Sequence, residues 1–322
     1  MIKPVIVLRL AQATDNDSRV FCQLFNSLYQ RKVTESYYLW QFFETPFPTV
    51  LAMAQTEDGI LAGCYAFHII KSTEESHFIA WALDIMVAPP FQGSGLFRRL
   101  ANFAASQAIQ HEPVALCVMA NQRADSAYVN GLGWHRVNVF TTCVRSTSNA
   151  AYQPPSGIDF ELVNSFPATF CQRVKSGLSL FGNFRSPEYL NWRFLRNPWY
   201  RYEPFIITLD LVPIGYLILK IFKDPVTTTS VGDIVDLGFV ADAPDLSSHI
   251  LRFALDHFCA SSVPQATIWL QTNTVLDRAG RQIGFVDTEL KRYFCCKVLK
   301  PTFDRLQNPE EWLINMSDAE IY

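Results

Sequence analysis

Leu83-Asp84-Ile85-Met86-Val87-Ala88-Pro89-Pro90-Phe91-Gln92-Gly93-Ser94-Gly95-Leu96-Phe97 is the chemically specific stretch of this 322-residue chain. An apolar run ends at Val87, a turn with two prolines follows, and two glycines one residue apart open onto an amphipathic segment. The pattern predicts strand, loop and helix in succession. Glycines at 93 and 95 permit positive φ and leave no Cβ between the backbone and a ligand. Amides freed at the helix start would face that ligand, where the macrodipole adds positive potential. Such a loop suits an anion, most naturally a pyrophosphate. No Gly-Lys-Ser/Thr follows, so it is not a Walker loop. The dinucleotide fingerprint is absent too, because no third glycine follows at the right spacing and no acid-ended strand lies about 20 residues on.

On either side the elements alternate. Residues 5–10 read as a strand rather than a signal peptide, and residues 15–29 as a helix with Asp15 or Asp17 as N-cap. Residues 37–43 form a short helix stopped by Pro46 and Pro48. Two strands, 50–55 and 60–70, form a hairpin around Glu57-Asp58-Gly59, and 78–87 is a long strand. Past the loop come a helix over 95–111, a strand over 114–120, a helix over 125–131 and a strand over 137–144. A mixed sheet with helices on both faces follows.

The plan is repeated. Tyr37-Tyr38-Leu39-Trp40-Gln41-Phe42 with Pro46 resembles Tyr189-Leu190-Asn191-Trp192-Arg193-Phe194 with Pro198, displaced by 152 positions. Gly63 pairs with Gly215 at the same displacement, Gly133-Trp134 with Gly284-Phe285 at 151, and Asn121 lies opposite Thr272-Asn273. These correspondences, in register, indicate a duplication. The boundary falls in the turn-rich stretch between Ser146 and Gly157, which gives domains 1–146 and 157–322, the second with a helical tail from Pro301 through Trp312.

Composition narrows the class. The 27 Lys and Arg against 30 Asp and Glu give a net charge of −3, which disfavours a nucleic-acid partner. The 8 cysteines show no C-x-x-C pair and read as reduced core residues of a cytoplasmic protein. No window holds about 18 uninterrupted apolar residues, so no membrane partner is expected. His68 and His77 have no metal-ligand spacing, and no metal site is expected.

Residues 83–100 resemble motif A of the GNAT acetyltransferase superfamily, whose signature is Gln/Arg-x-x-Gly-x-Gly/Ala after a strand ending in Val-x-Pro. Val87, Pro89, Gln92 and Gly95 match, while Phe97 replaces the last small residue. The element order of residues 1–145 is that of the family, and Asn121 with Gly133-Trp134 resembles its later motif. The resemblance implies an α/β fold with two tandem GNAT-like domains, the first catalytic. It implies acetyl-CoA as donor, lying in a V-shaped gap between two splayed parallel strands. Ile85, Met86 and Val87 would offer backbone amides to the pantetheine arm. Gln92, Gly93, Ser94, Gly95, Leu96 and Phe97 would hold the pyrophosphate, and Asn121 would contribute from the later turn.

Direct acyl transfer to a small amine also follows from the resemblance. Tyr128 is the candidate acid for the departing thiolate, and Asp84 the candidate base or amine anchor. Five residues separate Tyr128 from Gly133 where the commonest family spacing is four, and one residue turns a helix by about 100°. Tyr65 and Trp81 suit stacking against a sugar, which suggests a nucleotide-linked amino sugar as acceptor. In the second half the loop is replaced by Val240-Ala241-Asp242-Ala243-Pro244-Asp245, whose aspartates would repel a pyrophosphate, and Ala279 or a neighbour stands in place of Tyr128. That half is expected to be degenerate. Three alternatives stay open: a longer acyl or aminoacyl donor, a non-catalytic acyl-CoA-binding regulator, and a homodimer.

Overall fold

A computed structural model describes residues 5–74, 76–148, 151–170, 180–223, 228–240 and 245–319. The chain divides into two units. Unit 1 takes Met1–Val137, Arg196–Trp199 and Phe294–Pro309; unit 2 takes Asn138–Leu195, Tyr200–Tyr293 and Glu310–Tyr322.

Unit 1 opens with β1 (Ile6–Leu10), α1 (Asp15–Leu28) and α2 (Glu35–Phe42), followed by β2 (Thr49–Thr56), β3 (Leu61–Lys71) and β4 (Phe78–Val87). The four strands pair antiparallel in chain order. The expected hairpin forms: Gly59 takes φ +88°, and the Thr56 amide donates to the Ile60 carbonyl at 3.0 Å. Thr14, not Asp15 or Asp17, caps α1, its hydroxyl accepting from the Asp17 amide. The Asp17 carboxylate is taken instead by the Arg9 guanidinium at 2.8 Å and the Gln12 amide at 2.8 Å. α2 buries Tyr37, Tyr38, Trp40, Gln41 and Phe42, and ends three residues short of Pro46.

After β4 come α3 (Leu96–Ala108), β5 (Ala115–Ala120) and α4 (Gln122–Ser126), which runs into a single π turn over Ala127–Gly131. β5 lies parallel to β4. A Cβ on Gly63 would stand 2.6 Å from the Met86 carbonyl and 3.0 Å from Leu100, so only glycine lets β3, β4 and α3 meet there.

The next strand, β6 (His135–Ser146), belongs to unit 2 from Asn138 onward. The other elements of unit 2 are β7 (Ile158–Leu162), α5 (Pro187–Leu190), β8 (Glu203–Leu209), β9 (Val212–Lys223), β10 (Ser230–Phe239), α6 (Leu246–Ala260), β11 (Gln265–Trp269), α7 (Val275–Ile283) and β12 (Val286–Val298). α5 continues into a π segment over Asn191–Leu195. β7 to β10 pair antiparallel, β10 with β11 parallel, and β11 with β6 antiparallel. Leu217, Leu219, Ile250, Leu251 and Phe258 lie at the centre of its core.

Two features differ from the sequence reading. The compact units are not the contiguous segments 1–146 and 157–322, since β6 joins the second unit while Phe294–Pro309, with the end of β12, join the first. Strand pairing is made by main-chain groups that every residue carries, so its partner is not written in side-chain pattern. The tail beyond Lys300 is a series of short 3₁₀ turns, at Pro301–Gln307, Pro309–Glu311 and Met316–Asp318, rather than a helix. Prolines at 301 and 309 each remove a donor and interrupt it. Among the described residues no helix is long and apolar enough to cross a membrane.

Candidate active site

The site begins with an irregularity between β3 and β4. Cys64 faces Met86 but Ala66 faces Leu83, so Tyr65 stands opposite two residues, Asp84 and Ile85. This is a β-bulge, and Asp84 takes φ +45° to make it. Pairing of β4 with β5 runs from Ile79 with Ala115 to Ala82 with Val118. Residues 83–87 of β4 extend past that register.

A 3₁₀ turn at Pro89–Phe91 then leads into the loop. The Gln92 side-chain amide donates to the Val87 carbonyl at 3.0 Å, and the Ser94 hydroxyl donates to the Phe91 carbonyl at 2.6 Å. Gly93 and Gly95 take φ +71° and +82°, conformations that L side chains rarely adopt. A Cβ at either would meet nothing within 4 Å, so bare backbone faces open space. Gly95 also starts α3 without any side-chain cap, leaving the first amides of a 13-residue helix to a ligand. A cleft of about 520 Å³ opens here, walled by Val87, Gln92, Gly93, Gly95 and Leu96, with Phe97 beside them. The donor set fits a pyrophosphate.

Not every expected residue reaches that wall. Met86 is buried in the ladder and Ile85 is half-buried at the bulge. Asn121 is exposed and spends its side-chain carbonyl capping α4, accepting from the Arg123 and Ala124 amides at 3.0 and 2.9 Å. Residues that sequence reasoning missed also line the cleft: Phe91, Arg98, Ala127, Gly131 and Leu132. Arg98 had a readable signal, a cation three residues past the second glycine. Phe91 lies in the turn that leads into the loop, and Ala127, Gly131 and Leu132 come from the π turn after β5, where the sequence carried no signal.

Tyr128 lies in the π turn, which widens the helix by one residue and so takes up the extra position before Gly133. Its hydroxyl is 3.1 Å from that of Tyr65, its ring meets Phe97 edge-on at 5.6 Å, and Trp134 packs at 4.9 Å. Tyr128 is 1% exposed. Burial pushes the Tyr65 hydroxyl up, against the lowering effect of its bond to Tyr128, so Tyr65 keeps its proton at neutral pH.

Asp84 is buried and accepts from the Tyr37 hydroxyl at 3.2 Å and the Gln41 amide at 3.1 Å. Both donors come from α2, the helix carrying the repeated Tyr and Trp motif. Tyr65 and Trp81 present no open face for a sugar: Tyr65 is fully buried, and Trp81 stacks on Phe294 at 5.6 Å. His68 is turned to the Gln41 carbonyl at 2.8 Å, and among the described residues no cluster could hold a metal.

Unit 2 repeats this plan with other partners. Asp236 lies 152 positions after Asp84, at a bulge of β10 against β9. It is fully buried and bound by Arg185 at 2.8 Å, Tyr216 at 3.0 Å, Asn315 at 2.8 Å and the Ser317 hydroxyl. Burial pushes its carboxyl up, with Arg185 pulling the other way. Here the chain's own residues 315–318 fill the space beside the acid. Asp242 and Pro244 lie outside the described residues. Asp245 sits at the N-cap of α6, and Ala279 is buried in α7.

Residues 18–134 match the model of the Acetyltransferase (GNAT) family. No protein of curated function matches the sequence. Among solved structures, a tandem GNAT protein from the clavulanic acid biosynthesis pathway aligns with a TM-score of 0.61 at 13% identity, over 92% of this chain and 99% of that one. A glucosamine N-acetyltransferase region of a fungal multi-domain β-N-acetylglucosaminidase gives 0.62 at 13%, over 92% of this chain and 38% of that one. The Saccharomyces cerevisiae N-myristoyltransferase with bound myristoyl-CoA gives 0.61 at 8%, over 91% and 84%. At these identities the likeness establishes the fold.

Proposed function

We propose, from the premise of a chain that is a tandem GNAT protein and an acyltransferase, that unit 1 transfers an acetyl group from acetyl-CoA directly to a small amine. One observation carries the reading: two positive-φ glycines bare their backbone to an open cleft at the uncapped start of α3, beside the end of β4. In this reading the amides at 93–97 hold the pyrophosphate, and β4 past the bulge binds the pantetheine arm and polarises the thioester carbonyl. The free amine attacks that carbonyl, the C–S bond breaks as the C–N bond forms, Tyr128 gives its proton to the departing sulfur, and the proton shed by the new amide nitrogen passes through solvent back to the Tyr128 phenolate. Asp84 anchors the acceptor. Its bonds from Tyr37 and Gln41 already use part of its accepting capacity, which favours anchoring over proton abstraction.

The acceptor class stays broad, with amino sugars, free or nucleotide-linked, tried first because a glucosamine N-acetyltransferase region shares the fold. The scatter of the eight cysteines, with no C-x-x-C pair, supports a reducing compartment, the cytoplasm. The test is release of CoA thiol from acetyl-CoA with a panel of amino sugars, polyamines and amino acids. Release that depends on one class identifies the acceptor. Polyamines or amino acids turned over a hundredfold better than any sugar would reject the sugar, and no release with any amine would reject the transferase reading.

A further inference from the structure

Helix α3 goes against two preferences of helix ends where it faces the cleft. Gly95 gives it no side-chain cap, and its first turn holds no acid. Arg98 stands in that turn and Arg99 just after it, although the start of a helix carries positive potential and disfavours cations. A pyrophosphate at the loop accounts for the bare amides but leaves the two arginines to be explained, and they are turned to different ends. Arg99 donates to the Ile6 carbonyl of β1 at 3.2 Å. Arg98 makes no hydrogen bond or ion pair among the described residues, and of those that wall the cleft it alone is charged. Local costs of this kind, unrelieved inside the fold, collect where a ligand relieves them.

We infer that Arg98 binds the 3′-phosphate of CoA, the group by which CoA differs from dephospho-CoA. The inference rests on the acyl-CoA reading above and adds recognition of the donor's nucleotide end to it. The pyrophosphate and the 3′-phosphate hang from one ribose, at its 5′ and 3′ oxygens. Arg98 lies about 4.5 Å along the helix axis from Gly95, so the guanidinium on its long side chain reaches the second group while the amides at 93–97 keep the first. A guanidinium meets a phosphate through two parallel N–H donors, and it offsets charge that neutral amides and hydroxyls leave in place.

Calorimetric titration of the full chain with CoA and with dephospho-CoA tests this without an acceptor. The wild type should bind CoA about tenfold more tightly than dephospho-CoA, and Arg98→Gln should bring the two level by weakening CoA alone. Arg98→Lys, which keeps the charge and loses the planar fork, should fall between. Arg99→Gln should leave the preference as it is; an equal collapse there would take the role from Arg98. The unliganded Arg98→Gln chain should melt no lower than the wild type, since a cation has left the positive end of the helix. A lower melting temperature would assign Arg98 to the fold. Equal wild-type affinities for the two ligands would overturn the inference. So would a loss in Arg98→Gln shared equally by both, which would move Arg98 to the pyrophosphate. If neither ligand bound the wild type, the acyl-CoA reading itself would fall, and this inference with it.

Discussion

Asp17 is a carboxylate buried beside a guanidinium, and the direction of its response to pH is fixed by that placement. Burial works to raise its pKa, but the Arg9 hydrogen bonds, the Gln12 amide and the Arg9 charge outweigh it, and the folded value lies below the usual carboxylate range. A folded pKa below the unfolded value of about 3.9 means stability that is present above that pH and lost as pH falls through the folded value. Asp17→Asn should therefore destabilise the chain by about 1–3 kcal/mol at pH 7. The difference should shrink toward pH 3 in urea unfolding; a difference that grew on acidification would contradict the pairing. Tyr128 is tested by Tyr128→Phe, which should lower turnover about a hundredfold or more and leave acetyl-CoA affinity unchanged. Wild-type turnover would assign Tyr128 to packing with Phe97 and Trp134.

At the level of elements, the loop from β4 to α3 carries its own geometry. Gly95 at φ +82° cannot accept a side chain without strain of about 1–2 kcal/mol, so Gly95→Ala should lower the unliganded melting temperature slightly. The larger effect should be loss of the stabilisation given by acetyl-CoA, which for the wild type is about 2.7 kcal/mol at a hundredfold excess over Kd. A retained thermal shift would remove the loop from the binding site. Trp192, 2% exposed, should cost about 3–5 kcal/mol when replaced by alanine, read as a lower urea midpoint, without touching acetyl-CoA binding.

These elements also mark how far the sequence could be read. The glycine loop, the Asp58-Gly59 hairpin and the Trp-bearing helix were legible because each depends on residues close in sequence. The bulge at Asp84 depends on register with β3, and the π turn at Tyr128 on how one extra residue is absorbed, so neither leaves a local pattern. Thr14 caps α1 in place of Asp17 because Arg9, on β1, claimed the Asp17 carboxylate. Burial of Tyr65 and Trp81 under Phe97 and Phe294 is likewise a matter of packing that aromatic content alone does not express.

Across the whole molecule, the sequence carries two copies of one plan, and the glycine loop stands only in the first. Asp84 and Asp236 occupy equivalent bulges, yet the second acid is locked to Arg185, Ser317 and Asn315, while the first accepts from Tyr37 and Gln41 of α2. Because unit 1 includes Phe294–Pro309, a fragment cut at residue 146 would leave part of it behind, and binding is best measured on the full chain. Calorimetric titration of the full chain with acetyl-CoA tests the central claim most directly. One acetyl-CoA per chain, lost in Gly95→Ala, is the result expected; no binding, or two molecules per chain, would contradict a single CoA site at residues 92–97.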